Sequence, residues 1–306
     1  MTETVTHPSS LTPDSAAHPA LGFTDVLLFT MAVIWGINFV VVKYATHIFS
    51  PVAFTGLRVG TAAAFLLVVA FAGRRIAISR RDGIRLLLLG VLGNGLYQLF
   101  FIHGVARTRA GNAALIVGAA PAFIALVARA RGMERVKRMT LVGIGLSVIG
   151  VGLVIVGSAS SSSGETTLLG SLLVFLGVIC WTFYTIGLQP YTKRIDVLQL
   201  SAVTMVGGAV PLLIASAPAL ISTNWSRIGT GGWLALFYSS VISMGVAYFF
   251  WYRGLRVLGA TRTSVYSNLQ PIVALLVAWA FLNETPTIFQ GVGAATIIAG
   301  VFLTRA

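Results

Sequence analysis

Four apolar stretches of this chain carry polar and aromatic residues at helical spacing. Met31, Trp35, Asn38 and Phe39 recur in one, and Asn94, Tyr97, Gln98 and Phe101 in another. A third offers Trp181, Tyr184 and Thr185; a fourth offers Met244, Tyr248, Trp251 and Tyr252. Rings with a few hydroxyl and amide groups are the usual lining of a small-molecule site. Their faces attract ammonium groups. Arg58 stands about eight residues into a further apolar stretch. Its guanidinium fork suits a carboxylate. The competing reading is a structural arginine that bonds helix carbonyls or snorkels outward. Asn268 and Gln270 stand at the kink expected at Pro271, so freed backbone and side-chain amides could meet solute there. Trp225, Trp233 and Tyr44 lie at segment edges and read instead as an interfacial belt.

Catalysis has little to work with. His-Glu-x-x-His and His-x-x-Glu-His motifs are absent, and the chain has four histidines. Two of these, His7 and His18, sit in the N-terminal stretch. The single cysteine, Cys180, excludes an intrachain disulfide and a cysteine metal cluster. No cofactor or metal is called for, and no enzyme is expected. Gly93-Asn94-Gly95 lies inside an apolar segment and is not a phosphate loop.

The elements that must position these residues are set by composition. Of 306 residues, 57% are hydrophobic and 9% charged; mean hydropathy is +0.90. A soluble protein carries about 25% charged residues, so an ordinary soluble enzyme is excluded. A bilayer span needs roughly 20 apolar residues. Ten such segments can be read, at 24–43, 51–72, 84–104, 110–129, 139–157, 167–189, 197–217, 231–252, 262–282 and 286–304. Pro51 and Pro286 fit first-turn positions. Residues 1–23 read as a disordered tail without Lys or Arg, so no cleaved signal peptide is expected.

The net charge of +13 would suggest nucleic acid in a soluble protein. Here the charge sits in short loops, so a bilayer is the expected partner and nucleic acid is not. With the N-terminus inside, sixteen Lys and Arg fall on inner loops and tails, among them Arg74, Arg75, Arg135, Lys137 and Arg305. Lys43, Arg107, Arg109 and Arg227 fall outside, and Arg58 within a span. The imbalance places both termini in the cytoplasm. Asp25, Asp82, Glu134, Glu165, Asp196 and Glu284 all fall at span ends or in loops. With no mid-membrane carboxylate to carry a proton, a facilitator or exchanger is favoured over a proton-driven pump. His47 and His103, near span ends, are the remaining proton candidates.

The chain also repeats. Shifted by 150 residues, Gly104 meets Gly254, Pro121 meets Pro271, Glu134 meets Glu284 and Gly150 meets Gly300. Thirteen of fifty positions over 104–153 are identical. Trp35 pairs with Trp181 at the start of each half. Two units follow, 24–157 and 167–304, each of five spans. Five is odd, so the second enters the membrane inverted, as in secondary transporters whose site lies at the midplane between the halves. Pro121 and Pro271 are then equivalent mid-span kinks, each freeing a carbonyl four residues back, at Val117 and Ser267. They read either as static packing features or as hinges. The glycines of 143–150 and Gly207-Gly208 read as close helix packing.

On these residues the sequence resembles a ten-span EamA-type member of the drug/metabolite transporter superfamily, most like the YddG-type amino-acid exporters. The carriers are Trp35-Gly36-Ile37-Asn38-Phe39, Arg58, Pro121 with Glu134, and Asn268-Leu269-Gln270-Pro271 with Glu284 and Gly291. The resemblance implies an all-α protein of the bacterial inner membrane that exports amino acids or related amphipathic metabolites by alternating access. The small four-span multidrug members use a membrane-buried Glu, which this chain lacks. The expected substrate-binding set is Trp35, Asn38, Arg58, Tyr97, Gln98, Phe101, Trp181, Tyr184, Tyr248, Trp251 and Asn268, in a monomer. A nucleotide-sugar or phosphorylated-metabolite antiporter is the alternative, and would call for more basic residues in the cavity. An intramembrane enzyme is the alternative of another class.

Overall fold

Lipid offers no hydrogen bonds, so a backbone in it must satisfy its own polar groups. The computed structural model describes residues 22–72, 78–133, 138–159 and 164–305. Among the described residues the chain is all helical, without a strand. Most of the N-terminal tail, Glu134, Arg74, Arg75, Arg135 and Lys137 lie outside the described residues.

The helical segments are α1 (Phe23–Ala45), α2 (Pro51–Phe71), α3 (Arg80–Arg107), α4 (Ala110–Ala130) and α5 (Arg138–Ala159). They continue with α6 (Gly164–Thr192), α7 (Val197–Ile221), α8 (Thr230–Val257), α9 (Ala260–Leu282) and α10 (Ile288–Arg305). Eight are long and apolar enough to cross a bilayer. The other two, α5 and α10, hold the shorter apolar stretches Leu141–Gly157 and Ile288–Gly300. Pro51 occupies the first turn of α2 behind the Ser50 cap, as expected. Pro286 does not: α10 begins only at Ile288. There the Gln290 N–H donates to Thr287 Oγ1 (3.2 Å) and the Thr287 N–H to Gln290 Oε1 (2.8 Å). That reciprocal cap fixes the helix start beyond the proline.

Four segments are not regular α-helix throughout. In α3 the stretch Val91–Leu96 is π-helical, and in α8 so is Tyr238–Val246. Helix α4 breaks at Ala119, between Ala110–Gly118 and Ala120–Ala130. Helix α9 passes through a 3₁₀ turn, Tyr266–Leu269, before resuming at Gln270. A 150-residue shift carries Leu96 onto Val246 and Ala120 onto Gln270, so the irregularities recur at matching places. Pro121 and Pro271 each stand second in the resumed helix. The carbonyl of Ser267, expected to be freed, accepts the Gln270 N–H instead. The tighter turn re-satisfies it.

Glycines set how closely the helices pack, as small residues do in membranes. A Cβ on Gly170 of α6 would lie 2.8 Å from Gly104 O and Arg107 C of α3 and from Thr108 N just beyond it. One on Gly150 of α5 would lie 2.9 Å from Gly293 O of α10. One on Gly207 of α7 would lie 2.2 Å from Leu87 O of α3. Gly118 faces Pro271 in the same way, its Cβ 2.6 Å from Pro271 Cγ, so the two helix breaks meet.

One end of the bundle is fastened by polar groups. Lys43 Nζ donates to the carbonyls of Val105 (3.1 Å), Ala106 (3.1 Å) and Thr108 (2.8 Å). The Glu284 carboxylate accepts the N–H groups of Ala110 (3.2 Å) and Gly111 (3.4 Å), capping α4 from the α9–α10 connection. Arg109 donates to Thr285 O (2.7 Å), and Gln290 to Asn112 Oδ1 (2.8 Å).

Backbone atoms cannot retreat from a new methyl as a flexible side chain can. Gly170→Ala should therefore cost about 1–3 kcal/mol and lower the unfolding temperature in detergent. Gly145→Ala, with nothing within 4 Å of its added carbon, should not lower it. Equal stability of the two variants would mean that the α3–α6 contact is loose.

Candidate functional site

The residues singled out for chemistry converge on a cavity of about 40 Å³, room for no more than water-sized molecules. It is lined by Trp35, Asn38 and Phe39 of α1, Arg58 of α2, and Tyr97, Gln98 and Phe101 of α3. Trp181 of α6 and Ser243, Met244 and Tyr248 of α8 complete one side. Val117 and Ala120 flank the α4 break, and Ser267 and Gln270 flank the α9 break; all four line the other. At α4, α8 and α9 irregular backbone therefore borders the cavity, where protein groups meet it.

Eight of the eleven expected residues line this cavity: Trp35, Asn38, Arg58, Tyr97, Gln98, Phe101, Trp181 and Tyr248. Three do not. Tyr184 and Trp251 are fully buried one layer behind, each against the Trp181 ring (5.4 and 5.5 Å between centroids). Asn268 lines a separate space of about 30 Å³ with Gly118 and Pro271. It sits in the 3₁₀ turn, whose tighter pitch rotates it away from Gln270. Sequence reading passed over Ser239 and Ser243. Serines in apolar helices usually bond their own backbone, and only the π-helical turn of α8 makes these two useful.

The rings form one cluster. Trp35 and Trp181, which match between the halves, meet edge to face at 5.8 Å. Tyr97 lies 5.1 Å from Trp181, and Tyr248 lies 5.5 Å from Trp35 and 5.7 Å from Trp181. The Trp35 indole donates to Ser243 O (3.0 Å), which fixes its plane. Gly93 makes room behind: a Cβ there would lie 2.2 Å from the Tyr184 ring. The Tyr184 hydroxyl bonds Asn94 (3.1 Å), Thr204 (3.2 Å) and Tyr252, closing a polar knot between α3, α6, α7 and α8.

Arg58 is the one charged group of the lining. It is 1% exposed, which ends the snorkelling reading. Its Nη1 donates to Ser239 Oγ (2.9 Å) and its Nη2 to Gln98 Oε1. Gln98 Nε2 in turn donates to the Tyr248 hydroxyl (3.1 Å). Gln98 and Tyr248 are 150 residues apart, so equivalent positions of the two halves touch here. The guanidinium carbon lies 5.9 Å from the Phe54 ring centre and 5.6 Å from that of Phe101. Its Nε is buried without a partner. So is the carbonyl oxygen of the Asn38 side chain.

A larger groove, about 590 Å³, runs between α1, α8 and α9. Its walls are apolar save for glycine and two tyrosine hydroxyls, and its rim residues Leu234 and Phe281 are exposed. In a membrane that surface faces acyl chains. Its two hydroxyls are those of Tyr44 and Tyr238, the latter donating to Ile34 O (3.0 Å), and no charged group or side-chain amide joins them, so the smaller cavity is the candidate site.

The EamA-like transporter family profile matches the chain twice, over residues 22–156 and 168–306. The chain belongs to the EamA-like transporter family. As a member, it is a membrane transporter. It is 31% identical to the uncharacterized transporter YyaM of Bacillus subtilis (strain 168), over 90% of this chain and 91% of that one. It is 28% identical to a probable amino-acid metabolite efflux pump of Salmonella typhimurium, over 92% and 93%. One solved crystal structure aligns with a TM-score of 0.68 at 18% identity, covering 92% of this EamA chain and 97% of its own. That likeness is one of fold.

Gln98 links the charge to the second half of the chain. Gln98→Leu should cost about 1.5–3 kcal/mol, the range for a hydrogen bond to a charged group, because Arg58 Nη2 is left bare. Tyr248→Phe removes only a neutral bond and should cost less, about 0.5–1.5 kcal/mol. Thermal unfolding of the purified variants measures both; the reverse order would mean that Gln98 does not support Arg58.

Proposed function

We propose that the chain exports amino acids, aromatic or hydrophobic ones among them, or related amphipathic metabolites, by alternating access around the Trp35–Trp181 cavity. The observation that carries this reading is the lining itself, which draws on α1, α3 and α4 as well as α6, α8 and α9. A site shared by two halves is one that their relative motion can open to either side. The two family matches support the reading of two five-helix units, 24–157 and 167–304, in inverted orientation. Loop charge supports an inner-membrane protein with both termini in the cytoplasm. The cavity as it stands is smaller than an amino acid, so loading must widen it. Transport then proceeds down the substrate gradient, since no Asp or Glu lines the cavity to carry a proton.

Uptake of labelled amino acids, nucleosides and cationic drugs into proteoliposomes tests the assignment. Trp35→Ala and Trp181→Ala should each change the rate or the preferred solute while the protein stays folded and inserted. Flux should persist without a pH gradient. An unchanged transport profile in both variants would move the site elsewhere.

The facing breaks of α4 and α9 are the hinges of this mechanism. Pro121→Ala and Pro271→Ala should shift the inward/outward balance in opposite directions, because the halves are inverted. Single cysteines in α3 and α8, in a background lacking Cys180, report it by labelling from each side. A bias of about 1.4 kcal/mol changes the ratio tenfold. Shifts in the same direction would make the prolines packing features.

A further inference from the structure

The hydrogen-bonding capacity of the cavity is lopsided. Arg58 brings a full positive charge to a site where it is 1% exposed. Its two side-chain partners, Ser239 and Gln98, are neutral. No Asp or Glu lines the cavity. A buried charge without a counter-charge is costly, and the cost falls when an opposite charge arrives with hydrogen-bonding atoms. Arg58 Nε, buried and unpartnered, is a donor still to be used.

Acceptors are scarcer. Gln98 Oε1 is taken by Arg58, Ser243 O by the Trp35 indole, and Ser267 O by the Gln270 N–H. The hydroxyls of Ser239 and Tyr248 each accept one bond, which leaves their protons to donate. The side-chain amides of Asn38 and Gln270 offer donor and acceptor alike, and Asn38 Oδ1 is a lining acceptor still without a partner. An ammonium group has three donors and needs a matching set of acceptors. Held in the cavity that Arg58 lines, it would also meet a like charge. The ring faces attract cations, but Arg58 already lies over Phe101, and the rings of Trp35, Tyr97, Trp181 and Tyr248 pack against one another.

We infer that the cavity selects an amphipathic monocarboxylate, held through its carboxylate by Arg58, and that an ammonium group on the substrate is dispensable and disfavoured. This rests on the cavity being the transport site and, within that reading, takes the amphipathic metabolites rather than the amino acids as the substrate class. The carboxylate replaces the missing counter-charge at Nε and one Nη of Arg58, and the apolar body lies among Trp35, Tyr97, Trp181 and Tyr248. An anion moving outward is also favoured by an inside-negative potential. Export of this class therefore needs no proton-carrying carboxylate in the lining.

Four probes with one aromatic body separate the charges: 3-phenylpropionate, phenylalanine, 3-phenylpropanamide and 2-phenylethylamine. Binding to the purified full chain in detergent, followed calorimetrically, needs no variant and no correction for passive leak. The expected result is that 3-phenylpropionate binds at least tenfold tighter than phenylalanine and the amide, with no binding of the amine. Arg58→Lys should keep the preference for the acid, and Arg58→Gln should abolish it. Phenylalanine bound as tightly as the acid, or binding of the amine, would overturn the inference. If that binding were lost in Trp181→Ala, the transport site itself would stand. Binding of none of the four would overturn the site as well.

Discussion

Every feature of this molecule follows from the absence of water around its backbone. In hydrocarbon an unsatisfied N–H or C=O costs several kcal/mol, so helices are the solution wherever the chain meets lipid. Departures are confined to places where another group takes over. The Ser267 carbonyl turns to the Gln270 N–H in a 3₁₀ turn. Glu284 supplies acceptors for the first N–H groups of α4. The π-helical turn of α8 lets Ser239 and Ser243 serve Arg58 and Trp35. At α4, α8 and α9 irregular backbone borders the candidate site, where a protein-lined interior tolerates it.

The same absence of water changes what holds the helices together. Lipid tails are as apolar as leucine, so burying leucine gains little. Close approach gains more, and glycine allows it: Gly104 against Gly170, Gly150 against Gly293, Gly207 against Leu87. These contacts place the helices tightly enough for long side chains to reach across several of them. Tyr184 touches the polar groups of α3, α7 and α8 at once because Gly93 leaves space for its ring.

Arg58 is the exception to this economy. Burying a guanidinium at this depth is unfavourable by several kcal/mol. The chain meets part of that cost with Ser239, Gln98 and two ring faces. On the proposed function, a group held at such cost, with Nε unbonded, is there for the substrate. It gives the cavity a polar pole opposite an aromatic one, which is the polarity of an amphipathic solute.

The sequence by itself determined the helices and most of the residues that line the cavity. Apolar length fixes where spans lie, and charge fixes which ends they cannot bury, because both act locally. Helical spacing was enough to place Trp35 beside Asn38 and Tyr97 beside Gln98 and Phe101, since residues on one helix face share one environment. What lies across helices was not legible. Tyr184, Trp251 and Asn268 have the types of lining residues, yet the crossing of α6 and α8 and the 3₁₀ turn of α9 set them behind or beside the cavity. Ser239 and Ser243 carry no local signal at all. Periodicity assumes a regular helix, and it was the π and 3₁₀ turns that decided which side chains face the interior. Those turns are stable only through partners contributed by other helices, and that information exists nowhere but in the tertiary structure.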